Sequence, residues 1–491
     1  MAEYKTPGVY IKEKNAFGTS VVEAETAIPA FIGFTEKALN EDDDLTNVPW
    51  KISSMNEFVR YFGEGPKLKI TVKIDGSDAS QDYKLSVCGE NDYPLYQQMQ
   101  LFFANGGGTC YVVSVRKAEK EKNKEDDEDN KENEMPDNQI TSQMVDDALE
   151  ALTKEREVTL IVIPEAVSSN DRANIQQSMM KHCGEMGNRF AILDVPTGDK
   201  DKQLDKRIED FQNTVTNYFS YGAAYLPWLN TTVLTDRDLN GELFTWDESV
   251  NTYKDKIGDE AFCKIVETFY NSDKGSLHSA LYNGSSLYKH AIQGVLKQLN
   301  LLPPSATMAG IYTMVDHSRG VWKAPANVSL NYVDSPAENL DDDEQANLNA
   351  PMNGKAVNVI RLFRGEGVKV WGARTLDGNS LDWRYINVRR TLLFLEESVR
   401  NAARAYVFEP NDAGTWINMK CMIENFLRSV WKRGGLAGST PEEAFEVHVG
   451  LGDTMTGDDI LEGIMRVAVK VAVTHPAEFI EITFQQQMQK S

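Results

Sequence analysis

Val158-Thr159-Leu160-Ile161-Val162-Ile163, Phe190-Ala191-Ile192-Leu193-Asp194-Val195 and Ala223-Ala224-Tyr225-Leu226-Pro227-Trp228 are three short apolar runs, separated by longer stretches that alternate apolar and polar residues at helical spacing. The spacing predicts helices over 142–154, 171–183 and 202–217 with a strand after each. Repeated strand–helix–strand units require crossover connections, so the pattern predicts a mainly parallel sheet covered by helices, an α/β body. Upstream, Ala27–Phe34 and Cys110–Val115 read as further buried strands, with helices at Ser54–Phe62 and Tyr93–Ala104. Lys69–Ile74 and Tyr83–Val87, flanking Asp75-Gly76, suggest a looped β-hairpin. Residues 241–300 read as a helical insertion, with Phe262, Ile265, Val266 and Phe269 along one side.

The last 140 or so residues read differently, as α+β. Strands are expected at Val357–Phe363, Val368–Leu376 and Trp383–Val388, helices at 391–406 and 416–433, then strands at Ala444–Val449 and Ile464–Val473. In the last of these, Val467, Val469, Val471 and Val473 alternate with Arg466, Ala468, Lys470 and Ala472, a two-residue period. Each end of the chain carries an isolated strand pattern. Gly8, Val9, Tyr10 and Ile11 follow a Pro7 turn; Phe479, Ile480, Ile482 and Phe484 follow His475-Pro476, which interrupts pairing with the preceding strand.

At 491 residues the chain is too long for one ordinary domain, and 41% hydrophobic residues leave ample material for cores. No apolar run is long enough to span a membrane, and the start lacks the pattern of a signal peptide, so folding in a cytoplasm is expected, with no membrane insertion. Five scattered cysteines without a CxxC pair suggest reduced thiols. The net charge of −23 argues against nucleic acid as a partner. Residues 119–137 hold ten acidic and four basic side chains with no aromatic or branched aliphatic residue, and are expected to form a disordered acidic loop.

A catalytic reading finds little support. Gly106-Gly107-Gly108 lacks the Lys-Ser/Thr of a phosphate loop and precedes a strand rather than a helix, so it reads as a turn. The six histidines show no HExxH or comparable ligand spacing, and no metal or cofactor is expected. Asp316-His317-Ser318-Arg319 gathers catalytic residue types, but neighbours in sequence rarely form a triad; a polar turn is the plainer reading. Against the overall acidity, residues 355–440 carry 14 basic and 8 acidic side chains. On the helix at 416–433, Trp416, Met419, Ile423, Phe426, Leu427 and Val430 face a core while Arg428 and Lys432 project together elsewhere, with Arg433 beside them. Such a cluster is either an ordinary solvated face or an electrostatic dock for an acidic partner.

Several motifs, in order, resemble those of contractile tail sheath proteins. They begin with Thr6-Pro7-Gly8-Val9-Tyr10-Ile11 and Ala27-Ile28-Pro29-Ala30-Phe31-Ile32-Gly33, and continue with Asp316 and Arg319-Gly320-Val321-Trp322-Lys323-Ala324-Pro325. Val370-Trp371-Gly372-Ala373-Arg374, Trp383 to Arg390, Phe408-Glu409-Pro410-Asn411-Asp412 and Pro476-Ala477-Glu478-Phe479-Ile480 complete the series. The resemblance implies a non-enzymatic subunit that polymerises as a helix of six-membered rings around an inner tube. Its terminal arms would add strands to sheets of neighbouring copies, and contraction would drive the tube through a target envelope. Implied partners are other copies of the chain, an inner tube protein, baseplate and cap proteins and paralogous sheath subunits, with assembly in a bacterial cytoplasm. On this reading residues 1–20 are an exchanged arm, 21–350 an outer body, 351–474 an inner, tube-facing domain that accepts strands, and 475–491 a second arm. Lys420, Arg428, Lys432 and Arg433 would dock the tube. An α/β enzyme and a non-polymerising adaptor are the rival classes; sedimentation as very large particles would separate a sheath from both.

Overall fold

Eight strands build the principal sheet: β1 (Pro29–Gly33), β2 (Trp50–Ile52), β3 (Cys110–Ser114), β4 (Leu160–Val162), β5 (Phe190–Asp194), β6 (Gly222–Leu226), β7 (Val357–Phe363) and β8 (Gly367–Val370). Their order is β8-β7-β6-β5-β4-β1-β3-β2. The pairings from β7 through to β3 are parallel, and only the two outermost, β7 with β8 and β3 with β2, are antiparallel. The computed structural model describes residues 21–65, 68–76, 83–115, 139–197 and 204–483. Gly8, Val9, Tyr10, Ile11, Phe484 and the acidic loop 119–137 lie outside the described residues.

The apolar runs are continuous because both faces of the sheet are covered. On one face Ala30, Ile32, Val113, Ile161, Ala191, Leu193, Ala224, Val357 and Val359 join a core with the helices Ser142–Leu152, Arg172–Met186 and Leu204–Thr214. The alternate residues meet the helices Leu95–Ala104 and Ser305–Arg319, as in the edge-on contact of Phe31 with Phe102 at 4.9 Å between ring centres. The Ser305–Arg319 helix is buried from Ser305 to Thr313 and emerges at its last turn. Its N-terminus meets Asp194 Oδ1, which accepts the Ser305 N–H at 2.8 Å. Near its C-terminus, Asp316 forms a buried two-point ion pair with Arg390 (2.6 and 3.0 Å). Arg390 also donates to the Thr26 carbonyl and lies over the Tyr312 ring, whose hydroxyl meets that of Tyr225 at 2.8 Å.

The hairpin and the helical insertion turn out to be one substructure. Leu68–Gly76 and Tyr83–Asn91 pair antiparallel, and Phe244–Trp246 joins Leu68–Gly76 in parallel. The helices Glu248–Tyr253, Glu260–Phe269, Lys274–Gly284 and Ser286–Leu299 share a core with Ile70, Val72 and Ile74 of this sheet.

Two expectations need correction. The boundary at 350 cuts through the sheet, because β7 pairs with β6 and β8 with β7; without them the β6 edge would be bare. The larger of two compact units runs Glu25–Arg390, and the smaller holds, among described residues, 21–24 and 391–483. The strand expected at Trp383–Val388 is replaced by the start of the Ile386–Ala403 helix, since only a single bridge, Arg374 to Tyr385, offers that segment strand pairing. Arg389, at its first turn, is buried between the Tyr221 and Trp383 rings at 3.8 and 4.5 Å.

Candidate assembly interface

The smaller unit rests on two helices and a hairpin. Asp412 caps the Ala413–Lys432 helix by accepting the Thr415 N–H at 3.0 Å. The buried face of that helix carries Met419, Met422, Ile423, Phe426, Leu427 and Val430, and Phe426 packs edge-on against Phe394 of the Ile386–Ala403 helix at 5.9 Å. Trp416 lies at the edge of this face, donating from Nε1 to Asn411 Oδ1. Phe445–His448 and Ala468–Val471 then pair antiparallel, aligning Phe445 with Val471 and Val447 with Val469. Phe445 and Val447 turn into the unit's core, whereas Val469 stays partly exposed.

That hairpin is a two-stranded sheet. Two strands alone are marginally stable in water, because few cross-strand pairs offset the ordering of the chain. One cross-strand ion pair braces it, Lys470 reaching Glu446 at 3.1 Å; His448 lies 3.4 Å from Glu446 of its own strand and 3.2 Å from Asp453 in the connection that follows. The Lys470 ammonium, bonded to Glu446, holds that carboxyl below its ordinary range.

Beyond Val473 the chain has no secondary structure through Thr483. The strand expected from Phe479 does not form within the described residues, because a strand needs an edge to bond to. Its apolar side chains are left in solvent: Phe479, Ile480 and Ile482 are 78%, 80% and 70% exposed. Single exposed apolar residues are ordinary, but three of this size in four positions of unpaired backbone are not.

The four basic residues separate into two kinds. Lys420 faces Glu424 one turn on at 3.8 Å, and Arg433 forms a two-point pair with Glu23. Arg428 and Lys432 are exposed one helical turn apart and form no ion pair with any described residue. Ile417 and Cys421 continue the same exposed stripe towards the start of the helix.

Sequence reasoning missed an apolar group. Val407 and Phe408 stand exposed in the connection between the two long helices, and Leu451 and Leu461, the latter ending the short helix Gly457–Leu461, are exposed in the segment that joins the two hairpin strands. Phe408 also has φ = 71°, a left-handed backbone that is uncommon away from glycine. A signal was available: Val407-Phe408 directly precedes Glu409-Pro410-Asn411-Asp412, a helix-start sequence with no strand or helix for the two apolar residues to join.

The Asp316-His317-Ser318-Arg319 group forms the last turn of a helix rather than a loop, and its side chains diverge. Asp316 serves Arg390, His317 Nδ1 bonds the Thr313 carbonyl, and Ser318 Oγ donates to the Met314 carbonyl. Among the described residues, no cluster of three or more His, Cys, Asp or Glu is arranged to hold a metal, and no helix is long and apolar enough to cross a membrane.

Residues 138–376 match the phage tail sheath protein central domain, and residues 379–487 match the phage tail sheath C-terminal domain. A Pseudomonas aeruginosa (strain UCBPP-PA14) prophage protein, named as a major tail sheath protein, is 30% identical over 100 residues. That alignment covers 20% of this chain and only 25% of the relative's own length. Two solved structures match nearly end to end. The sheath complex of an extracellular contractile injection system, PVC, in its contracted state is 28% identical with a TM-score of 0.60, covering 99% of each chain. The helical sheath of the anti-feeding prophage (AFP) in its contracted state is 27% identical with a TM-score of 0.61, covering 99% of this chain and 100% of that one. With both sheath domains matched in order along most of its length, this chain belongs to the contractile tail sheath proteins.

Proposed function

We propose that this chain is the repeating subunit of a sheath that polymerises helically, in stacked six-membered rings, around an inner tube and contracts to push that tube through a cell envelope. The observation that carries the proposal is the pairing of an exposed, unbonded apolar tail at 479–483 with a two-stranded sheet in the same unit. An extended segment gains main-chain hydrogen bonds by lying along another sheet's edge. The hairpin Phe445–His448 with Ala468–Val471 is the acceptor in this reading, and the donors are residues 8–11 and 479–484 of neighbouring copies. Contacts that pass head to tail without closing generate a helical filament rather than a ring.

Arg428 and Lys432 supply the grip on the tube. They are the two members of the basic group that no described carboxylate engages, whereas Lys420 and Arg433 already have partners within the chain. Exposed charge pairs are worth about 0–1 kcal/mol each, weak enough to release singly and effective when repeated along a helical array. Contraction then needs no nucleotide: an assembly trapped in its extended form releases free energy when denser contacts between copies become available. The arms stay paired while the bodies turn, with residues 13–20 and 474–476 as hinges. Baseplate and cap proteins anchor the two ends of the polymer, and paralogous sheath subunits can share it.

Removal of residues 1–12 tests the reading. The shortened chain is expected to fold and to remain small on sedimentation, with no tubes in negative-stain micrographs; tubes of normal length would overturn it.

A further inference from the structure

The turn that follows the Ala413–Lys432 helix meets both ends of the smaller unit. The helix closes on a left-handed cap: Gly434, at φ = 86°, donates its N–H to the Trp431 carbonyl at 2.9 Å, and Gly435 donates to the Val430 carbonyl at 3.0 Å. This backbone conformation favours glycine, and it turns the chain sharply off the helix axis. Leu436, 4% exposed, then lies opposite Val473 in an antiparallel bridge. The Ala437 N–H donates to the Ala472 carbonyl at 2.8 Å, and the Ala472 N–H donates to the Ala444 carbonyl at 2.8 Å. The backbone at 472 is thus held from both sides immediately before the segment 474–483, which has no secondary structure.

The other end of the unit comes to the same turn. Arg433, the C-cap of the helix, forks its guanidinium onto both carboxylate oxygens of Glu23, Nη1 donating to Oε2 at 3.1 Å and Nη2 to Oε1. The next residue, Ala24, donates its N–H to Ser398 Oγ at 2.9 Å. Val22, just before them, is exposed. A forked guanidinium–carboxylate pair meets in one plane, so it fixes orientation as well as distance. Both side chains are about two-fifths exposed, a setting in which an ion pair adds little to stability. Its geometry serves to aim the chain more than to hold the fold. We propose that residues 433–437 form a common anchor from which both arms depart, with Glu23 and Arg433 as the positioning residues that aim the N-terminal arm. The proposal rests on the reading of the two chain ends as exchanged arms. The hinges at 13–20 and 474–476 then lie directly outside the anchor.

Charge exchange on the purified full-length chain tests it, read by the lowest concentration at which large particles sediment. Glu23→Arg and Arg433→Glu each bring like charges together, and each is expected to raise that concentration about tenfold, as for the loss of one charge-assisted contact per copy. The double exchange, Glu23→Arg with Arg433→Glu, restores the attraction with the positions reversed and is expected to recover most of the loss. Melting temperatures of all three variants should match that of the unaltered chain. A single reversal that assembles normally, a double exchange no better than the worse single one, or melting temperatures that fall in step with assembly would each overturn the anchor. Removal of residues 1–12 separates this proposal from the reading beneath it. If that removal abolishes tubes while the reversals do not, the anchor alone fails; if it leaves tubes intact, the arm reading fails and the anchor with it.

Discussion

The two units differ in whether they complete themselves. In the larger one, an eight-stranded sheet is covered on both faces, and two buried guanidinium groups are engaged within it: Arg390 by Asp316, Arg189 by the Leu152 and Glu155 carbonyls. The smaller unit has a two-stranded sheet, an unbonded apolar tail, and two cations on one helix that no described carboxylate meets. A cluster of large apolar side chains on a segment without secondary structure is costly to leave in water. On the proposed reading the contrast is between a region built for stability and one built for association, and substitutions in the two should fail in different ways.

The largest effect is expected in the self-completing unit. Asp316→Ala strands the Arg390 guanidinium in a dry site, and loss of one partner of a buried pair costs about 3–5 kcal/mol. Chemical denaturation should show this loss in the purified variant, with yield and assembly falling together because the body itself is weakened. If the variant unfolded at the denaturant midpoint of the unaltered chain, the buried network would not be what stabilises the larger unit.

A second, smaller effect depends on pH. Burial pushes the Asp194 carboxyl up to about 7, against the bond from Ser305 that favours its charged form. A carboxyl whose pKa is raised by folding favours the native state when protonated. Its stabilising contribution is complete below about pH 4 and is lost as pH rises to about 7, a few kcal/mol at most. Asp194→Asn keeps an acceptor for the Ser305 N–H and removes the titration. The melting temperature of the unaltered chain should fall relative to this variant between pH 5 and 8; parallel profiles would contradict the assignment.

The smallest effect on folding, and a specific one on assembly, is expected from Arg428→Glu with Lys432→Glu. Both side chains are exposed, so stability should change by about 0.5 kcal/mol or less. Micrographs should show empty or already contracted sheaths. Extended, tube-filled particles would remove these residues from the tube contact, and Arg433, paired with Glu23, would be the next to change.

Much of this division was readable in the sequence. The parallel strands were legible because each is a short, unbroken apolar run, and the hairpin because its strands flank Asp75-Gly76. The boundary near 390 was not, because β7 and β8 resemble the short strands of the following domain, and only three-dimensional pairing with β6 assigns them to the larger sheet. Nor was the helix start at Ile386: Trp383 to Val388 alternates like a strand, and the burial of Arg389 between two rings depends on contacts distant in sequence. At the candidate interface, the loose end and the Arg428–Lys432 pair were visible as patterns. The partners of Lys420 and Arg433, and the exposure of Phe408, follow from packing that periodicity does not specify.

Assembly, on this reading, depends on where the tail finds its backbone partners. A photo-crosslinking benzoylphenylalanine placed at Ile480 answers this directly, read by denaturing electrophoresis and mass spectrometry after irradiation of assembled particles. The expected result is a ladder of covalent multimers, with cross-links mapping to the 445–448 and 468–471 strands of another copy. Cross-links formed solely within single chains would contradict the central claim.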